Sequence, residues 1–128
     1  MSMPKIPVTS SKVPTPKYPY AQATRAGDTI YVSGIVALGL DGQLVGKGDV
    51  QAQIRQVLTH ISNILQAGGS RLDQVLRTTV YLTRVEDFET MNEVYREFFP
   101  VNPPARTTVR ADLMLPDLLV EIDAIASV

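Results

Sequence analysis

Apolar residues recur along this chain in two rhythms, one of period two and one of period three to four, and the switches between them set the expected elements. Thr29-Ile30-Tyr31-Val32-Ser33 alternates, with Ile30 and Val32 on one side and Tyr31 and Ser33 on the other. Ala21 to Arg25 precedes it across a turn at Ala26-Gly27-Asp28, which predicts a strand–turn–strand unit. Asp41-Gly42 marks another tight turn. From Val50 the rhythm changes. Val50, Ile54, Val57, Leu58, Ile61, Ile64 and Leu65 form the stripe of an amphipathic helix, with Asp49 as its N-cap and Gly68-Gly69 as its stop. Val75 to Thr83 reads as a strand. Phe88, Met91, Tyr95, Phe98 and Phe99 predict a second helix, with Glu86 and Asp87 in its first turn, where the helix dipole favours acids. Pro100, Pro103 and Pro104 end it. Arg106 to Arg110 and Leu118 to Ala126 are the last strands.

The order β-β-α-β-α-β-β predicts an α+β domain with both helices on one face of a single sheet. The last strand separates the faces. Leu118, Val120, Ile122, Ala124 and Ala126 form its apolar side, to be covered by helices. Leu119, Glu121, Asp123 and Ile125 form the other side, which is then either solvated or a subunit interface. Residues 1–128 make one domain, and residues 1–17 make an extended, proline-rich N-terminal arm. Pro4, Pro7, Pro14, Pro16 and Pro19 are five of the chain's nine prolines, and a residue without an N–H is unsuited to a helix interior or a central strand.

Composition narrows the function classes. Hydrophobic residues make up 45% and charged residues 20% of the 128, the balance of a globular protein with one core. The net charge of −1 and the isoelectric point near 5.7 lack the basic excess with which nucleic-acid binders neutralise phosphates. No cysteine is present, which removes disulfides, thiolate nucleophiles and cysteine-based zinc sites. The first residues hold no apolar run suited to a signal peptide, and no stretch suits a membrane span, so the cytoplasm is the expected location.

Candidate chemistry is sparse. His60, the single histidine, falls outside the Ile54-Val57-Leu58-Ile61 stripe and is expected to be solvated, which argues against a Ser-His-Asp triad or a histidine-rich metal site. No metal is expected to be required. Gly42 to Gly48 superficially matches a phosphate loop, but its spacing is one residue short and no Ser or Thr follows Lys47, so it reads as a turn-rich loop. Arg106 opens a strand directly after Pro103-Pro104-Ala105, sharing one side with Thr108 and Arg110. It is either an edge-strand arginine in a surface ion pair or a rigidly held fork that binds a carboxylate. Glu121 lies in the middle of an otherwise apolar strand, and is either part of an ion pair or a group that holds or activates a water. Asn92 sits at the margin of the second helix's stripe, suited to a helix-packing hydrogen bond.

Six segments taken in order carry a resemblance. They are Pro19-Tyr20, Val32-Ser33-Gly34, Thr78-Thr79-Val80-Tyr81-Leu82, Met91-Asn92-Glu93-Val94-Tyr95 with Phe98-Phe99, Pro104-Ala105-Arg106-Thr107, and Val120-Glu121-Ile122-Asp123-Ala124-Ile125-Ala126. Together they resemble the RidA (YjgF-type) family, from Tyr18 to Ala126. The resemblance implies a chorismate-mutase-like fold, an antiparallel mixed sheet with two helices on one face. It further implies a homotrimer with sites in the clefts between subunits. It implies hydrolytic deamination of reactive 2-imino or enamine acids to 2-oxo acids and ammonia, without a cofactor. Arg106 would bind the substrate carboxylate and Glu121 would orient the attacking water. Tyr20, Ser33 and Asn92 match positions that line the cleft, and Thr108 joins them as a substrate-binding position. Three departures bear on substrate choice: Tyr18 where many relatives have glycine or serine, Ile35 where many have glutamine, and Thr108 where bacterial housekeeping members often have cysteine. A branch that deaminates 2-aminomuconate is one alternative. A non-catalytic, carboxylate-binding regulatory trimer is another. Ribonuclease activity, sometimes attached to the family, is opposed by the acidic charge balance.

Overall fold

The computed structural model describes residues 3–128; Met1 and Ser2 of the expected arm lie outside the described residues. Among the described residues the strands are β1 (Ile6–Val8), β2 (Ala23–Ala26), β3 (Thr29–Val36), β4 (Val75–Leu82), β5 (Ala105–Arg110) and β6 (Val120–Ser127), with helices α1 (Val50–Ala67) and α2 (Phe88–Phe98). All six strands join one sheet in the order β1-β2-β3-β6-β4-β5. The last strand in sequence is thus central, wedged between β3 and β4.

Helix α1 starts and stops as expected. Asp49 accepts a hydrogen bond from the Ala52 amide at 3.1 Å, and the chain turns away at Gly69, whose φ of +84° suits a residue without a Cβ. The α1 stripe (Ile54, Val57, Leu58, Ile61) packs with Met91, Val94 and Tyr95 of α2 and with Val120, Ile122, Ala124 and Ala126 of β6 into one core. Both helices therefore cover the same face. The other face carries Tyr31, Val36, Tyr81, Val109, Ile125, Glu121 and Asp123, and no element among the described residues covers it.

Three expectations need correction. The arm is not merely draped over the surface: Ile6–Val8 pairs with β2 as an edge strand, where the missing N–H of Pro7 is tolerated. Gln22 holds the following stretch, accepting from the Ser10 amide at 2.8 Å and donating to the carbonyls of Ser10, Val13 and Pro14. The sheet is mixed, as expected: β5 runs parallel to β4, which follows from α2 carrying the chain back to the same end of the sheet. Leu119 does not share a side with Glu121. It is buried at 8% exposure in the helix-side core, because β6 begins only at Val120, after Asp117 turns the chain at a φ of +68°. Glu86 and Asp87 lie in a short 3-10 turn (Val85–Asp87) that leads into α2 rather than in its first α-turn.

His60 is also not solvated; it is 4% exposed. Gln53, Gln56 and His60 form a second, polar stripe on α1, which the loop between β3 and α1 covers. Leu38 O accepts from His60 Nε2 at 2.6 Å and from Gln56 Nε2 at 3.3 Å, while Gln53 donates to Gly46 O at 3.0 Å. The glycine-rich segment within that loop is a set of turns, as read, with Gly42, Gly46 and Gly48 all at positive φ.

Candidate active site

Arg106 is built into the edge strand from below. Asn102, at a φ of +48°, turns the chain after α2, and the two prolines then lead it straight into β5. Thr78 lies opposite Arg106 in the register and faces the helices, so Arg106 does too. Its guanidinium carbon stands 4.8 Å from the centre of the Tyr95 ring and 5.9 Å from that of Phe88. Nη1 lies 3.9 Å from Met91 Sδ. Tyr95 is itself fixed by a 2.7 Å hydrogen bond between its hydroxyl and Thr78 Oγ1. Burial raises the Tyr95 hydroxyl above its ordinary value, against lowering contributions from that hydrogen bond and from Arg106. Among the described residues no acidic side chain pairs with Arg106. This removes the surface ion-pair reading. The cation lies on aromatic faces that stabilise it without occupying its N–H donors.

Asn92 lies four residues after Phe88 and three before Tyr95, hence on the α2 flank that holds Arg106, and it is half-buried. Thr108, two residues beyond Arg106 on the same side of β5, lines a groove of about 370 Å³ with Phe88, Leu82, Val85 and Arg110. Glu86 and Glu89 also border that groove, while Arg106 and Asn92 do not; Arg106, Thr108 and Asn92 share only the helix side of one edge of the molecule.

Glu121 does not join them. It projects from β6 on the uncovered face, with Val36 of β3 and Tyr81 of β4 opposite it. The β3 backbone is irregular between Val32 and Ile35, which brings Gly34 against the glutamate. A Cβ at Gly34 would lie 2.9 Å from Glu121 Cδ and 3.3 Å from Cγ, so a side chain there would push the carboxylate out of its present position. Glu121 is half-buried and accepts no hydrogen bond among the described residues; burial first, and then the charge of Asp123, push its carboxyl above the ordinary carboxylate value. Ser33 shares that region. Its hydroxyl donates to Ala21 O at 2.6 Å and its amide to Gln22 O at 3.0 Å, which ties the Tyr20 segment to β3. Tyr20 itself is 54% exposed.

The six candidates thus fall into two groups. Arg106, Asn92 and Thr108 sit on the helix side of an edge strand. Glu121 and Ser33 sit on the bare side, with Tyr20 next to Ser33. Arg106 and Glu121 are two strand spacings apart across the sheet and three residues apart along it, about 14 Å in all, and face opposite ways through the sheet. Sequence reasoning missed the supporting residues. Phe88, Met91 and Tyr95 read as core positions, and nothing in their spacing tells that an arginine on a distant strand rests on them. Gly34 gave no sign of its contact with Glu121. Asp123 was visible as the next outward residue after Glu121, and its partners were not.

A family model described as Endoribonuclease L-PSP matches residues 10–128. A RutC family protein of Pyrococcus horikoshii is 41% identical over 117 residues, covering 91% of this chain and 93% of its own. The 3-aminoacrylate deaminase RutC of Acinetobacter baylyi is 40% identical over 126 residues, covering 98% of this chain and 100% of its own. Among solved structures, E. coli TdcF with bound serine superposes with a TM-score of 0.88 at 30% identity, covering 94% of this chain and 97% of that one.

Proposed function

Because the chain belongs to the endoribonuclease L-PSP family, that of the RidA, YjgF and RutC proteins, we propose that it hydrolyses small imine or enamine carboxylates to the corresponding oxo acids and ammonia. Membership and the 3-aminoacrylate deaminase relative support imine and enamine deamination in general. The observation that carries the reading to this chain is Arg106, a guanidinium stacked on Tyr95 and Phe88 with no acidic partner among the described residues. Such a fork suits a planar carboxylate. The serine bound by E. coli TdcF is a ligand of the same kind, an amino acid with one carboxylate.

In this reading Arg106 anchors the substrate carboxylate, and Asn92 and Thr108 line the neighbouring wall. Glu121 takes a proton from water as its oxygen bonds to the imine carbon, and passes it to the nitrogen, which has received the C=N π pair, giving a carbinolamine. The carbinolamine hydroxyl proton then follows the same route through Glu121 to the nitrogen as the C–N bond breaks and C=O forms, so that imine and water become oxo acid and ammonia. An imine already reacts with water, so positioning and polarisation can supply the acceleration without a cofactor. Since Arg106 and Glu121 of one chain face opposite ways, the reading requires two copies. The bare sheet face of one copy would bring Glu121, Ser33 and Tyr20 toward the Arg106 edge of the next. A homotrimer with three such clefts is the arrangement we propose.

Glu121 favours catalysis over carboxylate binding alone, since an anion-binding site gains nothing from a nearby carboxylate. The net charge of −1 likewise favours a small anion over RNA, and a salt titration of RNA binding separates the two. The deciding experiment is a steady-state assay on a panel of enzymatically generated imino and enamine acids, run with and without a chelator. Ammonia release well above the spontaneous rate, unchanged by the chelator, is the expected result. Release at the spontaneous rate across the panel would rule the deaminase out.

A further inference from the structure

Glu121 and Asp123 are successive outward residues of β6, so their side chains stand on one face about 7 Å apart along the strand. Their surroundings differ. Asp123 is pinned: the Thr79 amide donates to Oδ1 at 3.1 Å and the Tyr81 hydroxyl lies 3.4 Å from Oδ2 as donor. Glu121 has no hydrogen bond or ion pair among the described residues. The groups facing it are Asp123 on its own strand and Tyr81 on β4, while β3 offers Ser33, Gly34 and Val36, none of them charged. Farther along the same face stand Tyr31 and Arg77, and Arg77 is engaged with the hydroxyl of Thr107. Among the described residues of its own chain, the charge that acts on Glu121 is therefore another carboxylate.

We propose that Asp123 is a positioning residue for Glu121, a pinned anion that makes its neighbour a stronger proton acceptor for the attacking water. The assignment rests on the deaminase reading of Glu121 given above. A carboxylate next to a fixed like charge holds a proton more readily than one in water. That suits a group which must accept the water's proton and return it to the leaving nitrogen near neutral pH. The upward shift of Glu121, with Asp123 as its second cause, agrees with this geometry.

The test is a carbon-detected NMR titration of the Glu121 carboxyl in the full-length protein, assigned by its loss in Glu121→Gln. In Asp123→Asn the amide oxygen can still accept from Thr79, but the charge is gone. Its Glu121 midpoint should fall by about half a pH unit or more. Tyr81→Phe removes the hydroxyl that shares the Asp123 charge and should move the midpoint the opposite way, which a loss of folding would not do. On an imino acid substrate, the acid limb of kcat/KM should follow the Glu121 midpoint in both variants. An Asp123→Asn midpoint equal to the wild type, or an acid limb that stays put while the midpoint moves, overturns the assignment. Full activity of Glu121→Gln would instead overturn the water-activating reading, and the titration alone would then decide whether Asp123 governs Glu121.

Discussion

Arg106 owes its place to side chains that the sequence lists as core. Tyr95 is held by Thr78 and in turn supports the guanidinium, so the fork is aimed before any ligand arrives. Arg106→Lys keeps the charge but loses the planar fork, and lysine cannot rest on the ring in the same way. A fall in kcat/KM on the order of a hundredfold or more, roughly 3 kcal/mol, is expected on imino acids. The variant should sediment like the wild type; undiminished activity would mean that Arg106 does not anchor substrate. Glu121 makes a different kind of prediction. Its folded value lies above the ordinary one, so the native state holds the proton more tightly than the unfolded chain. Stability therefore falls as pH rises from the ordinary carboxylate range through the folded value. Glu121→Gln should melt higher than the wild type at neutral pH, and this advantage should vanish below the ordinary range. Thermal melts across that interval check the sign. Both residues stood out in the sequence, Arg106 because it opens a strand directly after two prolines and Glu121 because it is a charge in an otherwise apolar strand. Their partners were not, since Phe88, Tyr95, Gly34 and Tyr81 reach them only through tertiary packing. His60 was misjudged for a related reason: a helix margin reads as solvated unless a loop is known to cover it.

The elements were legible wherever apolar period and end signals agreed. Helix α1 shows this best, with its stripe, its Asp49 cap and its glycine stop all in place. What local pattern could not give was pairing. Three residues of a proline-rich arm become strand β1 only because β2 offers an open edge, and β6 lies between β3 and β4 although it comes last in the chain. The same holds for Gln53, a fully buried polar residue on α1 that ties two loops together. It accepts from the Leu119 amide at 2.8 Å and donates to Gly46 O and Asp117 O, both at 3.0 Å. Gln53→Leu would leave the buried Leu119 amide without a partner and release both loops. A loss of about 2 kcal/mol is expected, the usual cost of an orphaned buried donor. A lower denaturant midpoint with an unchanged slope, and faster hydrogen exchange at Leu119, would bear this out. An unchanged midpoint would show that water replaces the glutamine.

For the molecule as a whole, the decisive feature is that one chain cannot bring Arg106 and Glu121 to one substrate. They lie on opposite sides of the sheet, and β4 stands between their strands. The bare face also leaves Tyr31 51% exposed beside Ile125, with Val36 and Val109 farther along the same face, a surface suited to contact with another copy. The proposed trimer should appear in sedimentation at micromolar concentration, and a stable monomer there would count against it. Subunit mixing tests the cleft more sharply. Arg106→Lys and Glu121→Gln should each be nearly inactive alone. In a cyclic trimer whose clefts each take Arg106 from one copy and Glu121 from the next, a 1:1 mixture refolded together regains intact clefts. A cleft is intact when its first copy carries Arg106 and the next carries Glu121, which random assembly gives in about one cleft in four. Activity of about a quarter of the wild type is thus expected from the mixture. If each site drew both residues from one copy, every site would keep one defect and the mixture would stay as inactive as its parents. Recovery that appears only after co-refolding, and not on brief mixing of preformed assemblies, would place the two residues on different subunits.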